Sequence, residues 1–169
     1  ATRDQLTAHT AGRVVLHLAT HGRIDPDVPE RSHLVLAGRA QLASGDIPGL
    51  APWLTDTELV VLSACESGLP VQVQGTDDEG RVLISIDGLA SQFRRAGVDT
   101  LLASLWKVDD AATTALMLHF YEQLAAGQDV HRALAAAQAE VRQTPGWEHP
   151  YFWAAWTLVG RWHVEGSPG

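Results

Sequence analysis

Val60-Val61-Leu62-Ser63-Ala64-Cys65-Glu66-Ser67-Gly68 is the stretch that decides the fold. Apolar β-formers run unbroken to Leu62, two small residues follow, and the run stops at a cysteine, an acid and a glycine. A short apolar run bounded by turn residues reads as a strand buried on both faces, and such strands belong to parallel sheets covered by helices. Leu16-His17-Leu18-Ala19-Thr20-His21-Gly22 repeats the layout, ending in a histidine where the first ends in the only cysteine of the chain. In open parallel sheets, ligands bind beyond the carboxyl ends of the strands. Two parallel neighbours of this kind would bring His21 and Cys65 to that edge.

The remaining elements are read outward from these two. Val14–Ala19 and Glu58–Ala64 are the strands just named, Thr100–Leu105 is a third, and Ala154–Val159 is a last one. His33–Ala37 is a shorter apolar run behind the Asp- and Pro-containing loop from Arg23 to Ser32. Pro48 to Pro52 is a break. Val71 to Gly80 carries turn residues and the acid run Asp77-Asp78-Glu79, and reads as a solvated loop. Ile86, Leu89, Ala90 and Phe93 keep helical spacing over Ile86–Ala96, with Gly97 as C-cap. Asp109 or Asp110 N-caps a helix through about Ala125, and Asp129 caps another over Val130–Gln143. Strands alternating with helices predict an α/β sandwich with a mainly parallel central sheet flanked by helices.

Composition narrows the function classes. The chain has 169 residues, 46% apolar and 19% charged, which suits one soluble domain. Its formal charge of −8, with no basic cluster longer than Arg94-Arg95, argues against nucleic acid as a partner. No apolar run approaches the ~20 residues of a membrane helix, and no signal peptide is visible. One cysteine forms no internal disulfide. A reducing, cytoplasmic setting is the expectation. The polar opening without a methionine reads as a domain from a longer protein. A zinc site from His17, His21 and Cys65 lacks the paired ligand spacing of structural zinc, so neither metal nor cofactor is expected.

A thiol is only a few per cent thiolate at neutral pH, and a nearby imidazole raises that fraction or takes the proton as attack begins. The imidazolium can then protonate a leaving amine. Gly22 permits close backbone approach, and the N–H groups of Gly22 and Cys65 are candidates for an oxyanion hole. A lone buried cysteine is more often a small hydrophobe; the pairing at two strand ends is what favours chemistry. His17, inside its strand, reads as a satisfied core histidine. Trp153, Trp156 and Trp162 read as core or edge packing.

The matching text extends well beyond the dyad. Ala19-Thr20-His21-Gly22 and Leu62-Ser63-Ala64-Cys65-Glu66-Ser67-Gly68 are followed by Gly88-Leu89-Ala90 with Phe93 and Ala96-Gly97. Then come Ala103-Ser104-Leu105-Trp106-Lys107-Val108-Asp109-Asp110, Phe120-Tyr121 and His149-Pro150-Tyr151-Phe152-Trp153-Ala154-Ala155-Trp156. In this order they resemble the CHAT domains, caspase-like cysteine peptidases related to caspases, separases and gingipains. The resemblance covers about Gly12 to Trp162, a core of 12–162 within a single domain over 1–169. It implies a caspase-type sheet and a His–Cys dyad, with His21 as general base and acid and Cys65 as nucleophile. One departure is that many relatives carry Gly-Glu-Gly where this chain reads Leu83-Ile84-Ser85-Ile86-Asp87.

The stretch from Leu105 to Asp110 resembles the one in separases where an aspartate lines the pocket for a basic residue before the cleaved bond. That match makes Asp110 the first candidate for a substrate-binding carboxylate and Asp109 the second. The alternative is that one of them simply caps the following helix, and the two roles can be shared. Glu66 is a further pocket acid, and Trp106 is a candidate pocket wall. The expected function is a cysteine endopeptidase that cleaves a protein substrate after a basic residue, in bacterial signalling, defence or cell death. The expected partner besides substrate is a fused or associated tetratricopeptide-type sensor domain. The competing reading is a catalytically silent or partner-gated caspase-like interaction module, with 71–81 as the gating loop. A cysteine hydrolase acting on a non-peptide acyl group is the third.

Overall fold

The computed structural model describes residues 6, 14–23, 31–64, 71–76, 82–86 and 89–160, with 39, 64, 71–76 and 82–86 described by backbone alone. In chain order the strands and helices are β1 (Val15–Thr20), β2 (Gly22–Arg23), β3 (His33–Val35), β4 (Gln41–Ala43), β5 (Leu59–Ala64), β6 (Val71–Thr76), β7 (Val82–Ile86), α1 (Leu89–Arg95), β8 (Thr100–Ser104), α2 (Asp110–Ala125), α3 (Val130–Gln143) and β9 (Trp156–Gly160). A 3₁₀ run over Ser44–Trp53 occupies the proline-marked break.

The central sheet has the order β1-β5-β8-β9. β1, β5 and β8 are parallel, and β9 returns antiparallel to β8. The expected mainly parallel sheet is therefore a mixed one, with helices on both faces. Strand direction was not legible in the composition of Ala154–Val159; two helices, α2 and α3, stand between β8 and β9, and β9 starts with Trp156 opposite Ser104 at the end of β8.

Period-two alternation divides the core. Val60 and Leu62 of β5, with Leu101 and Ala103 of β8, pack on one face with Phe93 of α1 and with Ile47 and Leu50 of the 3₁₀ run. Leu59, Val61 and Leu102 point the other way, onto Leu116 and Phe120 of α2 and Ala137 and Val141 of α3. Every residue of β8 is buried, which is why this strand and β5 read as continuous apolar runs. β1 half-buries alternate residues: Leu16 and Leu18 pack against the α1 layer while Val15, His17 and Ala19 are exposed.

The helix ends follow their sequence signals. Gly97 adopts φ +97°. Its N–H donates to Arg94 O at 3.0 Å, and Val98 N–H donates to Phe93 O at 3.1 Å, closing α1. The Asp129 carboxylate caps α3 at Arg132 N, 2.9 Å away.

Two expectations need correcting. Val71 to Gly80 is not all loop: β6 and β7 form an antiparallel ribbon from Val71↔Ile86 to Thr76↔Val82, with an irregularity between Val73 and Gly75. Acids and turn residues dominate 77–80, but Val71-Gln72-Val73-Gln74 alternates with strand period. Ile86 consequently closes β7, and the helix expected from Ile86 begins at Leu89. The departing Leu83–Asp87 segment falls largely on this ribbon strand.

Candidate active site at the carboxyl edge of the sheet

The parallel register runs from Val15↔Leu59 to Thr20↔Ala64 between β1 and β5, and from Leu59↔Thr100 to Leu62↔Ala103 between β5 and β8. The carboxyl ends of three strands thus meet at one edge, where a cavity of about 320 Å³ opens. His21, Ser63, Ser104, Asp110, Thr113 and Trp156 are among its lining residues. Strand ends supply the first three and α2 two more, so the cavity sits between the sheet edge and the start of that helix.

His21 is exposed at the rim, and its backbone is tied on both sides. Thr20 Oγ1 donates to Val35 O. Val35 N–H donates to His21 O at 2.8 Å. Gly22, which is buried, pairs with Leu34 in the β2–β3 ribbon. A two-residue strand is marginal alone, and β3 and β4 extend it into a small antiparallel sheet. Cys65 and Glu66 lie outside the described residues.

The two adjacent acids have different positions. Asp109 Oδ1 accepts from Ala112 N at 2.9 Å, capping α2. Asp110, the first residue of that helix, is exposed and lines the cavity with His21. A carboxylate in a first helical turn is favoured by the positive end of the helix dipole, so the pair is compatible with α2 as well as with a cation. Trp106 does not line this cavity. It borders a neighbouring hollow with Lys107, His149, Pro150 and Tyr151, and its Nε1–H donates to Tyr151 O at 3.2 Å.

Sequence reasoning passed over Thr113 and treated Trp156 as packing. Trp156 is core, with 3% of its surface exposed, but it also lines the cavity. Among the described residues, Thr113 Oγ1 and Trp156 Nε1 are buried without a hydrogen-bond partner. The signal for Thr113 is its spacing: i+3 from Asp110 shares one helix face.

His17 is satisfied, as expected, but it is not core. It faces α2, where its Nδ1 and the Tyr121 hydroxyl are 2.9 Å apart. The rings lie 5.7 Å apart. Burial lowers the His17 pKa by desolvation and pushes the Tyr121 hydroxyl up to about 12. Among the described residues no cluster of three His, Cys, Asp or Glu side chains could hold a metal ion, and no helix is long and apolar enough to cross a membrane.

Comparison with known proteins adds the relationship. The model of the family described as CHAT domain matches residues 1–161. Tetratricopeptide repeat protein 28 of Homo sapiens is 32% identical over 114 residues, 64% of this chain and 5% of the relative. The Mus musculus protein of the same name is 27% identical over 129 residues, 72% of this chain and again 5% of the relative. The chain thus spans about one-twentieth of the length of these curated relatives.

Proposed function

We propose that this chain, which belongs to the CHAT domain family within the caspase-like peptidases, is a cysteine endopeptidase domain using Cys65 and His21 to cleave a protein after a basic residue. The observation that carries the proposal is the register of the two strands. It ends at Thr20↔Ala64, and the next residue in each segment is the histidine and the cysteine of the dyad. The cavity at that edge supplies a place for a substrate side chain, with Asp110 on its wall.

The chemistry balances with these groups alone. The Cys65 thiol gives its proton to His21, and the thiolate attacks the scissile carbonyl carbon. Backbone N–H groups of Gly22 and Cys65 hold the resulting oxyanion. The His21 imidazolium protonates the leaving amine as the C–N bond breaks, leaving a thioester on Cys65. His21 then deprotonates a water that attacks the thioester, and the acid product leaves as the thiol reforms. Asp110 attracts the cationic side chain; at an exposed position this contributes more to selection than to tight binding. Glu66, two bonds of main chain from the nucleophile's carbonyl, is held as a secondary acid for the same selection.

The proposal extends to setting. The tetratricopeptide name of both relatives supports a partner or fused domain of that kind, acting with this one in a signalling, defence or death pathway. A cytoplasmic location accompanies it.

The test compares the parent chain with Cys65→Ala and His21→Ala on fluorogenic peptides bearing arginine, lysine or norleucine, and follows alkylation of Cys65 by iodoacetamide. The expected results are cleavage after arginine and lysine only, and a loss of more than about a hundredfold in either variant. If Cys65 of His21→Ala alkylates as fast as in the parent, the two residues do not act as a pair and the proposal is wrong.

A further inference from the structure

The strand register explains why a cavity exists beside His21. Ala19 pairs with Ser63, and Ser104 pairs with Trp156. One step beyond Leu62↔Ala103, Ser63 comes beside Ser104. Ala19, Ser63, Ser104 and Trp156 therefore make one row across all four strands, on the face that α2 covers. The row two residues inward is His17, Val61, Leu102 and Leu158, and its larger side chains fill the space beneath the helices. In the outer row three strands carry only alanine or serine, so a gap stays open between the sheet and the start of α2.

Two atoms of the lining residues call for an occupant. Trp156 is 3% exposed, and its Nε1 is buried with no hydrogen-bond partner among the described residues. Thr113 Oγ1, on the α2 side of the same cavity, is in the same condition. Its neighbour Thr114 is not, because its hydroxyl donates to Asp110 O at 2.8 Å. A buried donor left unpaired costs more than a net hydrogen bond returns. The chemistry of the two atoms restricts what can satisfy them. An indole N–H only donates, whereas a hydroxyl both donates and accepts. Lysine and arginine side chains also only donate. A basic side chain therefore cannot bond Trp156 directly, and a group with lone pairs has to stand between them. A water takes about 30 Å³ of liquid volume and needs two to four polar partners; the cavity of about 320 Å³ has the room.

We propose that Trp156 and Thr113 are specificity residues that hold a water in this cavity and make it select lysine over arginine. The inference rests on the peptidase reading for its occupant. The water accepts from Trp156 Nε1–H and donates to Thr113 Oγ1, which leaves it one lone pair for an incoming ammonium. The remaining ammonium hydrogens go to the Asp110 carboxylate and to the serine hydroxyls of the outer row. An ammonium is a compact, strongly hydrated point charge, so single-oxygen acceptors and a water suit it. A guanidinium is a rigid fork that is weakly hydrated and matches a carboxylate two-pronged. Among the described residues Asp110 is the only carboxylate lining the cavity, and it is exposed. An arginine that displaced the water would set its N–H groups against the indole N–H, donor against donor.

The test measures binding without turnover, using the Cys65→Ala chain and fluorescein-labelled peptides that differ only in carrying lysine, arginine or norleucine. The lysine peptide should bind about tenfold tighter than the arginine peptide by polarisation, the worth of one hydrogen bond to a charged group, and norleucine should bind weakest. Trp156→Phe removes the N–H and keeps an aromatic ring; Thr113→Val keeps the shape and removes the hydroxyl. Each, added to Cys65→Ala, should bring the lysine-to-arginine ratio down to about threefold or less. Thr113→Val decides the ratio should Trp156→Phe unfold. A second readout follows the indole itself. In the ¹⁵N-labelled chain, the Nε1–H resonance that Trp156→Phe deletes should move on titration with n-butylammonium, at concentrations where n-butylguanidinium leaves it in place. A ratio near one, a ratio favouring arginine, or a ratio that Thr113→Val leaves unchanged overturns the inference. If the parent chain cleaves after arginine as readily as after lysine, the water site fails while the peptidase reading stands. If lysine is preferred through Thr113 but the parent cleaves nothing, the site stands and the peptidase reading fails. Binding of none of the peptides, with no cleavage, overturns both.

Discussion

Asp109 and Asp110 are neighbours that should fail in different ways when removed. Asp109 Oδ1 caps Ala112 N at 2.9 Å. Asp109→Ala leaves that first-turn N–H without its acceptor, which costs about 1 kcal/mol, and removes a negative charge from the helix N-terminus, worth a further ~0.5 kcal/mol. For a domain of this size the sum lowers Tm by roughly 3–6 °C. Asp109→Asn keeps a capping oxygen and loses only the charge, so it should recover most of the difference. Asp110→Ala leaves the Asp109 cap in place and should cost less than Asp109→Ala, with ~0.5 kcal/mol from the lost first-turn charge. It should, however, cut kcat/KM on arginine peptides toward the value for norleucine peptides. Urea unfolding, read as a shift of midpoint at constant slope, measures the stability changes, and peptide kinetics measure selection. If Asp109→Asn is as unstable as Asp109→Ala, the hydrogen bond is not what Asp109 contributes. If Asp110→Ala keeps the basic preference, Asp110 does not select the substrate.

Two further outcomes test the scaffold. Gly160 has φ +121°, and a Cβ there would lie 2.0 Å from Asp99 O, so Gly160→Ala should displace the end of β9 and cost more than about 2 kcal/mol in thermal or urea unfolding. Tyr121→Phe removes the hydroxyl beside His17 and should flatten the alkaline limb of stability. The folded Tyr121 titrates at about 12, above the unfolded tyrosine near 10. The parent should therefore lose stability as pH rises from 10 through 12, and the variant should lose less. His17 works in the opposite direction: its lowered pKa disfavours the charged ring, so its contribution fades as pH falls below the unfolded value near 6.5.

How far the sequence could be read depends on how each element is buried. β5 and β8 are covered on both faces, so they appear as uninterrupted apolar runs and were placed to within a residue. α3 was read at its full extent, Val130–Gln143, because Asp129 and Pro145 mark both ends. The β6–β7 ribbon was passed over because its V-Q-V-Q alternation is short and sits beside a conspicuous acid run. The direction of β9 depends on the two helices between it and β8, not on its own residues. At the site, His21 stood out because it ends a strand. Thr113 and Trp156 reach the same cavity only through the packing of α2 and β9 against β8, which no local pattern announces. The separate placements of Asp109 and Asp110 follow from a helix start that sequence could locate only to within one residue.

The antiparallel return of β9 decides where the outer strands of the sheet begin and end. The register aligns Val15 with Leu59, Leu59 with Thr100 and Thr100 with Gly160. The chain therefore enters β1 and leaves β9 at the same edge of the sheet, three strand spacings or about 15 Å apart. The cavity opens at the opposite edge. Because β1 begins and β9 ends away from the cavity, neither of these strand ends crowds the edge at which a ligand would approach.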